Sequence, residues 1–343
     1  MDIKATFKAL CEIGGPSGFE TGVIQSASSF LKPFVDETWI DPAGNLVGVR
    51  RCGKKQAKRV LLDAHLDEVG LIVTGIDQGF LRFQTIGGID LRVLVDCKVM
   101  VLTDPPLPGV ITCLPPHLQD KEQFDQTPSL EKLLIDVGLS AEEAQKRIPL
   151  GTPVVFHSTC ISLGEDLICG KALDDRAGFV ALLRTLERLQ DKKLPVDLYV
   201  MGSTQEEVGG LGAGNGAYAI DPYCAIAVDV TFGQTPDTPG EKSFPLGSGA
   251  AIGVGPNMTR WMSQRSIQLA KEREIPYQIE VMPGSSGTNG WAIQIIREGI
   301  ATMVVSLPVK HMHTPVEILA LSDVEAVSAL LEALIESFGE ETQ

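Results

Sequence analysis

Basic residues are in short supply: 29 Lys and Arg stand against 44 Asp and Glu in 343 residues, a formal net charge of −15. Phosphate backbones are bound by clustered Lys and Arg, so nucleic acid is excluded as a partner. The acidity itself is read as keeping the chain soluble. No apolar run reaches the length of a membrane span, and Met1-Asp2-Ile3-Lys4 leads straight into an amphipathic pattern instead of a signal peptide. The seven cysteines (Cys11, Cys52, Cys97, Cys113, Cys160, Cys169, Cys224) are odd in number, dispersed and never in a CxxC pair. They read as reduced core or surface thiols, which with the missing leader points to a cytoplasmic protein.

What remains is an ordinary globular composition, 44% apolar and 21% charged, in a chain long enough for two domains or one with a large insertion. Ser17-Gly18-Phe19-Glu20 fits a capping box before a helix to about Leu31, and Asp41 to Asn45 reads as a turn between two short strands. Arg59 to Asp63 makes a buried strand ending at His65. Between Val69 and Gly164 the texture changes: strand-like runs at 70–74, 80–84, 98–102 and 153–156 alternate with Gly and Pro turns. Pro105 to Pro108 and Gln119 to Pro128 read as loops, and His117 and His157 as structural. This stretch is expected to be a small β-rich domain, 69–164, inserted into a discontinuous catalytic domain, 1–68 and 165–343.

Helices are predicted over 175–189, 258–274 and 288–298, with Ser322-Asp323-Val324-Glu325 capping a last one. Strands alternating with helices on both sides of the insertion imply a layered α/β catalytic domain. The glycine-rich Gly210 to Gly216 fits neither a dinucleotide fingerprint nor a phosphate-binding loop, and is set aside.

Acid and histidine gather in five clusters: Ala64-His65-Leu66-Asp67-Glu68, Leu173-Asp174-Asp175-Arg176, Gln205-Glu206-Glu207-Val208, Val228-Asp229-Val230 and Met312-His313-Thr314-Pro315. Most follow apolar, strand-like runs, and strand ends are where open α/β sheets collect catalytic groups. Each cluster has a plain alternative. Glu206-Glu207 alone reads as a solvated pair, and Asp174-Asp175 as a helix cap. Together, hard carboxylates with imidazole and no cysteine suit zinc, cobalt or manganese in a two-metal hydrolase site. On an extended chain His65 and Asp67 point the same way.

The order and local sequence of these clusters resemble the M42 family of metallo-aminopeptidases. The resemblance runs from Gly14-Gly15-Pro16-Ser17-Gly18-Phe19-Glu20 to His313-Thr314-Pro315-Val316-Glu317 and includes Leu134 to Gly138, Gly170 to Gly178, Gln205 to Gly209 and Asp237-Thr238-Pro239-Gly240. It implies a zinc-exopeptidase-like fold whose insert helps subunits associate, giving dimers or dodecamers. It implies two divalent ions, zinc or cobalt before manganese, bridged by Asp174. His65 and Asp229 would complete one ion, Glu207 and His313 the other. Asp67 would accept the free ring N–H of His65, and Glu206 would be the general base. The substrates would be short peptides with a free N-terminus, and the Asp174–Asp175 bond would be cis.

The chain departs from the family pattern at Gly287-Thr288-Asn289-Gly290, at Phe232 after Thr231 and at Lys310-His311. None is an expected ligand, so the departures bear on specificity. The alternative readings are a deacylase, dipeptidase or carboxypeptidase of the same two-metal clan, and a non-catalytic assembly protein. A glucanase is discounted, because sugar hydrolysis needs a flanking carboxylate pair and not a set of metal ligands.

Overall fold

The computed structural model describes residues 1–118 and 126–339. The chain opens with helices α1 (Ile3–Cys11) and α2 (Thr21–Leu31), then strands β1 (Glu37–Ile40), β2 (Leu46–Arg50) and β3 (Arg59–His65). Short strands follow: β4 (Gly70–Asp77), β5 (Phe80–Ile86), β6 (Lys98–Val101), β7 (Leu107–Thr112), β8 (Leu134–Asp136) and, past helix α3 (Ala141–Arg147), β9 (Pro153–Phe156). Strands β10 (Ile161–Leu163) and β11 (Leu167–Gly170) lead to α4 (Leu173–Leu189), β12 (Asp197–Ser203), α5 (Leu211–Ile220) and β13 (Cys224–Phe232). The chain continues through β14 (Ala250–Val254), α6 (Arg260–Glu272), β15 (Tyr277–Val281), α7 (Asn289–Ile293), β16 (Ala301–Val309), β17 (Glu317–Ala320) and α8 (Leu321–Ser337).

Mixed α/β architecture follows from how these strands bury both faces. An eight-stranded sheet runs β1-β2-β12-β3-β13-β16-β14-β15. Its centre, β12, β3, β13 and β16, is parallel. Along β3 the side chains alternate: Val60, Leu62 and Ala64 join a core with Phe179, Leu182 and Leu186 of α4 and Val327, Leu331 and Leu334 of α8. Leu61 turns the other way, toward Ala213 and Ala217 of α5 and Ile293 of α7. Asp63 and His65 share that second face, so the period of the strand alone sends the first site histidine away from the larger core.

Strands β4, β5, β8, β7, β6 and β9 close a barrel around Leu71, Leu81, Val99, Ile111, Ile135 and Val154. The loop expected over Gln119 to Pro128 lies in part, 119–125, outside the described residues. Pro105 to Pro108 is not wholly loop, because Leu107 and Pro108 pair with Val101 and Met100 in β7.

Several local expectations give way to long-range partners. Ser17 and Glu20 do not form a capping box. The Ser17 hydroxyl donates to Asp67 Oδ2 at 2.6 Å, and Glu20 Oε1 accepts from Gly18 N at 2.8 Å and Gln205 N at 3.1 Å. Nor does Ser322-Asp323 cap α8, which begins at Leu321. Ser322 Oγ donates to Asp166, and Asp323 accepts from the amides of Gly247 and Gly249, both at 2.7 Å. Helix α7 stops at Ile293, five residues short of the predicted end, as Arg297 and Gly299 at φ 56° and 100° turn the chain out of helical geometry. The glycine-rich 210–216 stretch lies on α5. It needs Gly212 because a Cβ there would sit 2.3 Å from Thr204 O and 2.4 Å from Asn45 Oδ1.

Candidate metal centre

The five clusters meet at the C-terminal end of the parallel strands. His65 ends β3, Glu206 and Glu207 follow β12, and Asp229 lies near the end of β13. Beyond β16 the chain doubles back through backbone bonds between Lys310 and Ile318, and this hairpin presents His313. Asp174 and Asp175 sit where β11 turns into α4, and their non-helical backbone delays the helix proper until after Asp175. The bond between them is cis.

Asp174 lies between the two imidazoles, with Oδ1 3.1 Å from His65 Nε2 and Oδ2 3.1 Å from His313 Nε2. Glu207 Oε1 is 3.2 Å from His313 Nε2. Donor atoms of His65, Asp174 and Glu207 lie within 4.8 Å of one another, and so do those of His65, Asp175 and Asp229. Asp175 is therefore nearer the ligand cluster than the sequence suggested, although it is also a helix cap: Oδ1 accepts from Gly178 N at 3.0 Å and Oδ2 from His65 N at 3.2 Å.

Electrostatics report what the cluster lacks. Burial opposes charge on His313, yet hydrogen bonds to Asp174 and Glu207 push it up to about 11. His65 is likewise held well above its ordinary value, against burial, by Asp174 and Asp67. Burial raises Asp175 and Asp229 well above the usual carboxylate range, the carboxylates near each adding to the effect. Asp174 is lowered despite its burial, by the two histidines. The carboxylates thus outweigh the positive charge available, and divalent cations on these oxygen and nitrogen donors would supply it. The residues fit such ions.

Glu206 stands at the edge of the cluster, its Oε2 4.0 Å from His65 Nε2. Burial, then Glu207 and Asp174 against the opposing pull of His65, bring it up to about 7. Asp67 holds more than the histidine. Its backbone carbonyl is 3.1 Å and its Oδ1 3.4 Å from His65 Nδ1, while Oδ1 accepts from Glu206 N at 3.1 Å and Oδ2 from Glu207 N at 3.2 Å. One buried carboxylate orients the ring and the two-glutamate segment together.

Three supports escaped the sequence reading. Glu317 Oε1 accepts from His313 N at 2.8 Å and Oε2 from Asp174 N at 3.1 Å, and burial raises it to about 8. Glu68 accepts from Lys171 Nζ at 2.7 and 2.8 Å, from Arg176 Nη2 at 3.1 Å and from Gly15 N at 3.0 Å, in a fully interior triad. Gly88, in the barrel segment, accepts from His313 Nδ1 at 2.5 Å. The only available signals were adjacency, Glu68 beside Asp67 and Glu317 in the His313 motif. Gly88 carried none.

Of the residues reserved for specificity, Asn289 is buried and its Nδ2 donates to Asp63 Oδ2 and Ser203 Oγ, both at 2.8 Å. Phe232 is exposed at the end of β13, and His311 is exposed beside its hairpin turn. Gly88, Glu206, Glu207, Ser285, Thr288, Trp291 and His313 line a cavity of about 360 Å³.

A carboxylate- and imidazole-rich pocket at the switch point of a mostly parallel sheet is a site built for cation-assisted chemistry. The sequence model of M42 glutamyl aminopeptidase matches residues 44–330, and the chain belongs to that family of aminopeptidases. It is 36% identical over 336 residues to the lysyl aminopeptidase of Pyrococcus furiosus, covering 96% of this chain and 95% of that one. An aminopeptidase from Desulfurococcus kamchatkensis superposes with a TM-score of 0.90 at 36% identity, covering 98% of this chain and 94% of the other. The Pyrococcus horikoshii TET1 peptidase, described as assembling into a tetrahedron or a large octahedral shell, has a TM-score of 0.86 at 32% identity over 97% of this chain and 99% of its own.

Proposed function

We propose that the chain is a dinuclear metallo-aminopeptidase that removes the N-terminal residue from short peptides, with Glu206 as general base. The observation that carries this reading is Asp174 set between His65 and His313, with Glu207, Asp175 and Asp229 converging on the same space. Asp174 would bridge two ions, His65 and Asp229 completing one and Glu207 and His313 the other. When bound, zinc or cobalt, and next manganese, would polarise the scissile carbonyl and make a water acidic enough to attack.

The chain's own residues do the rest. Glu206, which the ligand scheme leaves free, takes a proton from the attacking water and returns it to the leaving amine. Asp67 keeps the Nε2 face of His65 turned inward and holds the backbone of Glu206 and Glu207. Glu317 fixes the His313 and Asp174 backbones. The acidic rim can receive the free α-amine of a peptide, which would make the enzyme an exopeptidase.

Residues 69–164 are read as an inserted domain through which subunits associate. Its exposed Leu118 and Leu150, at 71% and 67% of full exposure, support that role. The assembly described for the Pyrococcus horikoshii peptidase supports a homo-oligomer here, from dimer to dodecamer, and a single monomer peak in light scattering would count against it. All seven cysteines are free thiols, which suits a cytoplasmic setting. No helix among the described residues is long and apolar enough to cross a membrane.

The test is hydrolysis of aminoacyl-p-nitroanilides, each beside its N-acetyl form, by chelator-stripped protein reloaded with zinc, cobalt or manganese. Metal-dependent release from free-amine substrates alone is expected. Faster release from the acetylated forms would establish a deacylase instead, and no release with any metal a non-catalytic protein.

A further inference from the structure

The sheet face that carries Asp229 holds another acid, outside the metal scheme. Strand register sets Asp229 beside Ser306, Ser306 beside Ala251, and Gly253 beside Glu280. Residues two apart on a strand share a face, so Asp229, Thr231, Ser306, Gly253 and Glu280 all look the same way. Gly253, on the intervening strand, has no side chain to obstruct Glu280, which reaches across to the two strands beyond. Its Oε1 accepts from Thr231 Oγ1 at 2.6 Å and its Oε2 from Ser306 Oγ at 2.7 Å. Thr231 is two residues from Asp229, and Ser306 is its neighbour across the strands.

Glu280 is a half-buried carboxylate held by two neutral hydroxyls. Burial raises its pKa and the two hydroxyls oppose the rise, while no Lys or Arg among the described residues contributes. A carboxylate so placed gains more from a charge-assisted partner than one already paired.

Its surroundings suit the rest of a long cationic side chain. On the same face Ala227, Val304, Met258 and Met282 form a small apolar cluster. Asn257, next to Met258, buries both side-chain amide atoms without a hydrogen-bond partner among the described residues. The segment packs directly on Met282, since a Cβ on Gly255 would lie 2.0 Å from Met282 O. One residue past β15, Met282 starts the loop whose Ser285, Gly287 and Thr288 line the cavity shared with Glu206, Glu207 and His313. Apart from those three the lining side chains are uncharged; Glu280 lies outside that lining, two residues before Met282, with its carboxylate on the hydroxyl of Ser306, the strand neighbour of Asp229.

We propose that Glu280 is the specificity determinant of this site, selecting peptides whose N-terminal residue is cationic, lysyl or arginyl. The inference rests on the aminopeptidase reading. The methylene stem of the substrate side chain lies along Met258 and Met282, as long basic side chains do on apolar surface, and the charged tip meets Glu280.

The test compares Lys- and norleucine-p-nitroanilide, which differ by the terminal amine, with metal-loaded wild type, Glu280→Gln and Glu280→Asp. Calorimetric binding of L-lysinamide and L-norleucinamide to the wild type is measured alongside. The wild type is expected to favour the lysyl compound by about tenfold or more in kcat/KM and in affinity, because a site built for a polar group rejects the analogue lacking it. Glu280→Gln is expected to erase most of that ratio, and Glu280→Asp to keep part of it. A wild type that prefers norleucine, or a ratio unmoved in Glu280→Gln, overturns the inference and leaves the aminopeptidase standing. Turnover of neither compound with a preserved lysinamide preference overturns the aminopeptidase and leaves Glu280 as a cation site. Equal binding of the two amides overturns Glu280, and this wild-type measurement decides even where a variant fails to fold.

Discussion

Removing the carboxylate of Glu68 should destabilise the protein by stranding two buried cations, away from the candidate metal centre. Glu68, Lys171 and Arg176 have side chains only 3%, 3% and 0% exposed, and among the described residues Glu68 is the single anion joining the two cations. Arg176 also donates to the carbonyls of Leu10, Ile13 and Leu66 at 2.7, 2.6 and 3.1 Å, and Lys171 to Ile13 O at 3.2 Å. In Glu68→Ala those carbonyls remain but two buried positive charges lose their counter-ion. Breaking a buried pair costs about 3–5 kcal/mol, since an uncompensated charge stays in the interior. With an unfolding entropy of about 2.1 cal/mol/K per residue, the 343-residue chain loses about 0.7 kcal/mol per degree, so the melting temperature should fall by about 4–7 °C.

Calorimetry at fixed protein and metal concentration measures the shift, because binding equilibria also move the transition. The paired variant Glu68→Ala/Lys171→Met should recover roughly half of it, one stranded cation having been removed. A loss under about 1 kcal/mol for Glu68→Ala, or no recovery in the double variant, would refute the reasoning: water would then be compensating the charges in what looks like a dry interior.

Glu206→Gln should lower kcat by about 10²–10⁴-fold, the usual share of a positioned base, with metal content and melting temperature unchanged; wild-type turnover would remove the assignment. Asp67→Ala should cost stability as well as turnover, because Ser17 and the amides of Glu206 and Glu207 lose a buried acceptor, at about 1–3 kcal/mol for each group left unpaired, while His65 Nδ1 keeps the residue 67 carbonyl. Reloading stripped protein with zinc at about 100 times its Kd should add about 2.7 kcal/mol for each ion bound, or about 4 °C per ion by the same conversion. No rise in the melt would argue against a preformed cation site. Gly212→Ala should cost about 1–3 kcal/mol and slow turnover, since a methyl group 2.3 Å from Thr204 O must displace the strand end that leads to Glu206.

Much of this was legible in the sequence because it depends on short-range geometry. The HxD spacing at the end of β3 set Asp67 against the His65 ring, and the apolar run at 196–202 placed the two glutamates after a strand. Asp174 between the histidines was implied by family likeness and not by any pattern of the residues themselves. Where reading failed, a distant partner outbid a local one. Ser17 and Glu20 have the spacing of a capping box, yet a buried carboxylate on β3's extension and the Gln205 amide claim them. Ser322 and Asp323 are drawn to Asp166 and the 247–249 turn in the same way. Glu68 and Lys171, 103 residues apart, gave no local sign that they meet.

The Gly88 carbonyl has a wider consequence. It belongs to the segment leaving β5 of the barrel, yet it receives the outer ring N–H of His313 at the far end of the chain. Gly87 lies equally close to the site, for a Cβ there would come within 3.3 Å of Glu207. The barrel is therefore not a cassette that could be exchanged, trimmed or re-attached at a new angle while the chemistry carried on beside it. Any substitute must return the same two-glycine turn to the same spot, and a contact that tilts the barrel from outside will be felt first as a change in the aim of one imidazole.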